Sequence, residues 1–272
     1  MLYQILNDKT VNVGKKLPLT IQMMKLYKYI LLVLFFLIYS SAMAQENAAP
    51  NSILENNLSN IEPLTVSGEE NPWSLISDSQ GIKTYRKEIA GSDIFPLKAV
   101  TVLNAQIEKV LTLMLDDNRA TEWIDLLAEI KLIKTYSDRQ YTLLYEMASP
   151  FPLLVKKRDF LLESNFSYHI KEEKVTLSLH SVEDDTVPLQ KGYVRGNIYK
   201  SEWNFIALKK EGKTLVSIEY HVDPRGLIPK WIVRTFQKSW PHKTLKDLNR
   251  YLQENEIETN KLLYKLIPDL TP

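Results

Sequence analysis

The chain has 272 residues, 44% of them hydrophobic and 25% charged, with a formal charge of +1 and no cysteine. That length suffices for one large domain or two small ones, and the near-zero charge supplies no basic field for nucleic acid. The absence of cysteine excludes disulfides, thiolate metal ligands, a cysteine nucleophile and a lipidated cysteine, and leaves the redox compartment open.

From Met24 the sequence runs MKLYKYILLVLFFLIYSSAMAQE. Lys25 and Lys28 precede an uncharged apolar run from Tyr29 to Tyr39, and Ala42-Met43-Ala44 fits a cleavage site of the A-x-A kind. Residues 24–44 therefore read as a signal peptide, which predicts an exported protein, periplasmic or secreted. The apolar run is short for a membrane span, which needs about 20 residues. Residues 1–23 look like an upstream extension ahead of the true start. Residues 1–44 hold five lysines and one acid, so their removal turns the formal +1 into an excess of acids. An acidic chain is a poor partner for surfaces that attract by negative charge alone. Residues 45–70 are polar, rich in Asn and Glu and without periodicity, and read as a flexible linker.

The folded unit is expected over residues 71–256, with residues 257–272 as a C-terminal tail. The stretch PWSLISDSQGI predicts a short helix ended by Gly81. IKTYRKEI and IFPLKAVTVL read as strands. NAQIEKVLTLMLD then changes period: Ile107, Val110, Leu111, Met114 and Leu115 fall on one helical face, with Asn104 as the expected N-cap. RATEWIDLLAEIKLIKTY carries a short helix and a strand. YTLLYEMA, RDFLLESNFSYHI, EKVTLSLHSV, GYVRGNIYKSEWNFIAL and TLVSIEYHV are five more strands. A long helix follows from about Pro229 to Gln253. Consecutive strands with short turns imply an antiparallel sheet, and helices segregated from them define an α+β fold. A curved sheet with a long helix on its open face can enclose a cavity.

Five signatures occur in one order: DSQGIKTYRKE, EWIDLLAEIKLI, YEMASPFPLLVKKRDF, QKGYVRGNIYKSEWNFIAL and IEYHVDPRGLIPKWIV. The series resembles the START domain, a lipid-transfer domain, over about Asn71 to Gln253. The resemblance implies a helix-grip fold: a curved antiparallel sheet gripping the C-terminal helix around a hydrophobic tunnel for one lipid. It implies that this helix serves as the lid and that Asp223, Pro224, Arg225, Gly226, Leu227, Ile228 and Pro229 form the gate, where Leu227 and Ile228 touch a membrane transiently. Some sterol-binding members are thought to keep a buried Glu–Arg pair. Glu146 lies near the matching glutamate, but Ser164 occupies the matching arginine position, which weighs against a strict sterol ligand.

The residues themselves offer further candidates. In RDFLLESNF, Phe160, Leu162, Ser164 and Phe166 share one face of a strand. Tyr141, Tyr145, Tyr193, Tyr199, Tyr220, Trp203 and Trp231 are amphipathic aromatics that either line a pocket or fill a core. An inward Glu146 needs a partner, and Arg195 is the candidate; a rim ion pair is the competing reading. On the long helix, Trp231, Val233, Phe236 and Trp240 lie along one side, and Pro241 predicts a kink between Gln237 and Pro241. The expected ligand site is thus Glu146, Phe160, Ser164, Arg195, Trp203, Tyr220, Trp231 and Phe236. In KKRDF, the basic run reads as a solvated strand start or as a contact for lipid headgroups.

His169, His180, His221 and His242 show no metal-binding spacing, and no nucleophile elbow or phosphate-binding glycine pattern is present. Neither metal nor cofactor is expected. The leading expectation is a monomeric, non-enzymatic carrier of one lipid or other hydrophobic molecule. The alternative is a helix-grip enzyme of the polyketide cyclase or aromatase type, with Glu146, His221 or Tyr220 as acid–base groups. A lipid sensor is a third class.

Overall fold

In the computed structural model, residues 73–268 and 270 are described. The upstream extension, the signal peptide and the linker expected over residues 1–70 lie outside them. The described elements are β1 (Ser74–Ser79), β2 (Ile82–Arg86), β3 (Leu97–Leu103), α1 (Ile107–Met114), β4 (Leu127–Ser137), β5 (Gln140–Met147), β6 (Lys157–His169), β7 (Lys174–Ser181), β8 (Tyr193–Arg195), β9 (Asn197–Leu208), β10 (Lys213–Asp223), α2 (Lys230–Glu254) and α3 (Leu262–Leu266). All strands join one sheet in the order β1-β2-β3-β10-β9-β7-β6-β5-β4, while short β8 runs parallel to the start of β6. The remaining pairings are antiparallel, and α2 follows the last strand. This is the α+β helix-grip architecture expected from the strand run and the single long helix.

The sheet separates two apolar groups by side-chain alternation. On its inner face Leu97 and Ala99 of β3 join Phe205, Ile218, Leu245 and Leu248 in the main core. On the outer face Val100, Val102, Leu208 and Leu215 form a smaller cluster. The second half of α2 is fixed in the main core through Leu245, Leu248, Tyr251 and Leu252. Its first half is less enclosed: Ile232 is buried, whereas Trp231 is exposed. Pro241 lies within the continuous 25-residue helix.

Four local expectations are corrected. Ser74–Ser79 is a strand, not a helix: Gln80 (φ 54°) and Gly81 (φ 73°) both take left-handed conformations, which make a tight hairpin turn onto β2. Gly81 therefore turns a hairpin rather than capping a helix. Gln106, not Asn104, is the N-cap of α1, and the Asn104 N–H donates instead to the Asn249 side chain of α2. The segment around Val194-Arg195-Gly196 breaks into β8 and β9 at Gly196. Finally, the expected tail is part of the fold: Ile257, Leu263, Leu266 and Ile267 are buried in the main core.

Candidate ligand cavity

Alternation along the strands builds a cavity of about 270 Å³ between the inner face of the sheet and the first half of α2. From β5 and β6 come Tyr145, Met147, Arg158, Phe160 and Leu162; from β7 come Leu177 and Leu179. β9 and β10 add Ile198, Ser201, Trp203, Tyr220 and Val222. Ile198 and Ser201 have opposite parity, and a bulge explains why both face inward. His221 pairs with Lys200, but Val222 pairs with Ile198, so Tyr199 is an extra residue on β9. The helix supplies Ile232, Val233, Trp240 and Thr244 as the roof.

The wall is mainly apolar and aromatic. Trp123 meets Trp203 edge-on at 6.4 Å, and Tyr220 meets Trp240 at 4.6 Å. Burial pushes the phenols of Tyr145 and Tyr220 up, so both remain protonated donors at neutral pH. It also raises the carboxyl of Asp117, which lines the cavity, with the neighbouring Asp116 charge adding to the effect. Three buried atoms on lining residues have no hydrogen-bond partner among the described residues: Trp123 Nε1, Tyr220 OH and Thr244 Oγ1. Leaving such a group unpaired costs about 1–3 kcal/mol.

The mouth lies where β6 begins and β10 ends. Arg158 faces inward, with Phe160 two residues on, and donates from Nε to the Pro224 carbonyl at 3.3 Å and from Nη2 to the Arg225 carbonyl at 3.0 Å. Its Nη1 donates to the Lys156 carbonyl. Arg225 (φ 48°) and Gly226 (φ 71°) are consecutive left-handed residues, and the Arg225 N–H is held by Asp223 Oδ1 at 2.8 Å. Ile228 lines the cavity, while Leu227 is 98% exposed. Leu153 and Leu154, just ahead of β6, are also exposed, and Phe151 meets the exposed Trp231 at 6.0 Å. These residues make an apolar tip beside the mouth.

The expected site residues divide by strand parity. Phe160, Trp203 and Tyr220 line the cavity, as do Pro224 and Ile228 of the gate. Asp223, Arg225 and Gly226 border a smaller pocket beside it, and Pro229 is the N-cap of α2. Ser164 is buried on the inward face but lies outside the cavity lining. Trp231 is exposed at the tip rather than inside, and the Phe236 side chain lies outside the described ones.

Glu146 and Arg195 differ most from expectation. Tyr145 takes the inward position on β5, so Glu146 faces the opposite side of the sheet. There Lys131 pairs with it, Gln190 Nε2 donates at 2.7 Å and Tyr193 OH at 2.9 Å. The Lys131 hydrogen bond holds the Glu146 carboxyl below its ordinary range, against the opposing effect of burial. Arg195 does not pair with Glu146. It forms a bidentate pair with fully buried Asp159, at 2.9 and 3.1 Å. β8 brings Arg195 directly opposite Asp159. His221 is likewise outside the cavity lining, its ring 4.6 Å from that of Tyr199.

The sequence reading missed Trp123, Trp240 and Thr244 as cavity residues, and had Arg158 only within the KKRDF run, as a solvated strand start or a headgroup contact, whereas it is buried in the cavity wall. Arg158 was accessible to the same two-residue period that found Phe160. Thr244 is four residues beyond Trp240 and thus on the same helical face. Trp123 follows a short 3-10 turn, where no period helps. Among the described residues, no group of three His, Cys, Asp or Glu side chains could hold a metal ion.

Residues 54–258 match the family described as the START domain. An uncharacterized protein of Pseudomonas aeruginosa is 30% identical over 180 residues, covering 65% of this chain and 84% of its own. Mouse phosphatidylcholine transfer protein is 26% identical over 192 residues, covering 69% of this chain and 86% of its own. Among solved structures, a fragment of a STAR-related lipid transfer protein from Xanthomonas axonopodis superposes with a TM-score of 0.59 at 27% identity, over 66% of this chain and 98% of that fragment. Human StAR-related lipid transfer protein 5 gives a TM-score of 0.63 at 15% identity, over 75% of this chain and 96% of its own, which shows a shared fold.

Proposed function

This chain belongs to the START domain family, and on that premise we propose that it binds one lipid or similar hydrophobic molecule in the cavity and carries it without chemical change. The observation that carries the proposal is the aromatic and aliphatic space between sheet and helix, with three polar atoms in its wall that have no partner among the described residues. An apolar ligand gains about 0.8 kcal/mol for each CH₂ removed from water, and a ligand oxygen can satisfy the orphaned donors. The relatives named for lipid transfer support the same reading. Two of the three acid–base candidates for an enzyme, Glu146 and His221, are not among the lining residues, which favours a carrier over a cyclase. The cavity lies just below the range of about 300–1,000 Å³ common for small-molecule sites. Long acyl chains therefore require the wall to yield, and the less enclosed first half of α2 is the part suited to move as a lid.

The proposal includes transient membrane contact through Leu153, Leu154, Leu227 and Trp231, which expose apolar area beside the mouth. It also includes export, supported by Lys25, Lys28, the apolar run and Ala42-Met43-Ala44. An exported product whose N-terminus is Gln45 is expected; residues before Gln45 in that product would overturn the cleavage. Native mass spectrometry of the purified protein tests the carrier reading. A monomer with one non-covalently held lipid, released on denaturation, is the expected result. A protein that is empty, takes up no fluorescent lipid and converts a polyketide analogue would refute it.

A further inference from the structure

We propose that the cavity mouth is a binding site for an anionic group of the ligand, a carboxylate or a phosphate, and that this anion opens the gate by drawing Arg158 away from it. The inference rests on the reading of the cavity as a lipid site. It names the class of lipid preferred there and the event that admits it.

Three observations converge. First, Arg158 lines the cavity, is only 7% exposed, and forms no ion pair among the described residues. Its sequence neighbour Asp159 is on the opposite face and is taken by Arg195. The three described bonds of the Arg158 guanidinium all go to neutral main-chain carbonyls, those of Lys156, Pro224 and Arg225. A guanidinium has five N–H donors, so two remain without a described partner. Second, Lys156 also lines the cavity and is likewise in no ion pair among the described residues. Two cations therefore stand at the entrance with neutral acceptors or solvent as their partners. An anion makes stronger, charge-assisted bonds there, and a carboxylate or phosphate can accept two from one guanidinium.

Third, the same guanidinium holds the gate. The carbonyls that it grips belong to Pro224 and Arg225, in the turn where Arg225 and Gly226 are both left-handed. A non-glycine residue in that conformation is uncommon and persists because its surroundings hold it. A Cβ added at Gly226 would stand 3.5 Å from Arg158 Nη2, so turn and guanidinium are in contact. An anion that takes the guanidinium removes two bonds from this turn at once. The turn carries Leu227 and Ile228, and α2 starts immediately beyond it. Headgroup capture and gate release thus share one side chain.

The test uses the full chain and matched pairs of short-chain probes in buffer below their aggregation limit: a fluorescent fatty acid against its fatty alcohol, and phosphatidic acid against diacylglycerol with the same chains. Inorganic phosphate alone is a third arm. The charged member of each pair is expected to bind about tenfold more tightly or better, in line with charge-assisted hydrogen bonds. Arg158→Gln should abolish that preference and Arg158→Lys should weaken it. Exposed Lys156→Gln should reduce it even if the Arg158 variants fail to fold. Hydrogen exchange of the amides of Arg225 to Leu227 should quicken when the charged probe binds and stay unchanged with the neutral one. Quickening with inorganic phosphate alone would identify a free anion as sufficient and also support the site. Equal binding of charged and neutral probes, with no response to Lys156→Gln, would overturn the anion site while leaving the lipid cavity intact. Binding of neither member would overturn the cavity reading itself.

Discussion

Glu146 shows how a single position on a strand decides between site and scaffold. Its neighbours Tyr145 and Met147 line the cavity, whereas Glu146 is held on the other face by Lys131, Gln190 and Tyr193. Glu146→Gln is therefore expected to leave ligand content unchanged and to lower stability at neutral pH by about 1 kcal/mol, less than a fully buried charged hydrogen bond contributes because Lys131 is part-exposed. The sign with pH follows from the Lys131 bond, which holds the carboxyl below its ordinary value. Its contribution is present in full above the unfolded-state pKa and is lost as pH falls through the lower, folded-state value. Urea unfolding of both proteins between neutral and acid pH checks this. A stability gap that stays constant into strong acid would contradict it, as would a loss of bound lipid.

Among the elements, the β8–β9 junction ties a recognisable sequence segment to the cavity wall. A Cβ at Gly196 would lie 2.2 Å from Cε1 and 2.6 Å from Cζ of Phe160. The constraint on Gly196 is thus close approach to a cavity-lining ring. Gly196→Ala is expected to push that ring inward, cost about 1–3 kcal/mol as overpacking does, and reduce ligand uptake. Unchanged denaturant midpoint and unchanged lipid stoichiometry would count against it. This junction also marks how far the sequence was legible. Trp203 and Tyr220 stood out only as amphipathic aromatics, whereas Phe160 was located by alternation, because β6 keeps its period there. Alternation could not register the extra residue at Tyr199 that turns Ile198 inward, nor the break at Gly196 that sets Arg195 opposite Asp159. The hairpin at Gln80 and Gly81 was misread for a related reason: a glycine after a polar run suits either a helix end or a two-residue turn, and pairing with β2 decides between them.

For the molecule as a whole, the cavity mouth, the turn proposed as its gate and the apolar tip share one end of the fold. Leu153 and Leu154 stand beside the mouth without lining it. Replacing both with Glu is expected to preserve lipid content and slow lipid exchange between vesicles about tenfold or more, since each leucine inserted in a bilayer contributes roughly 1.5–3 kcal/mol. Undiminished exchange would show that the tip need not touch the membrane. The strand order has another consequence, in time rather than in space. β3 pairs with β10, so Leu97 waits for Tyr220 and Leu103 for Thr214, across roughly a hundred intervening residues. Such distant pairing makes folding slow and leaves partial chains prone to aggregate. A ribosome that has not yet delivered β10 therefore holds a chain with an open strand edge and no floor for its lipid. Chains stopped before Lys213 should remain protease-sensitive, and those extended through Leu266 should become resistant. The carrier cannot hold cargo until β10 and the helices that follow it have been made.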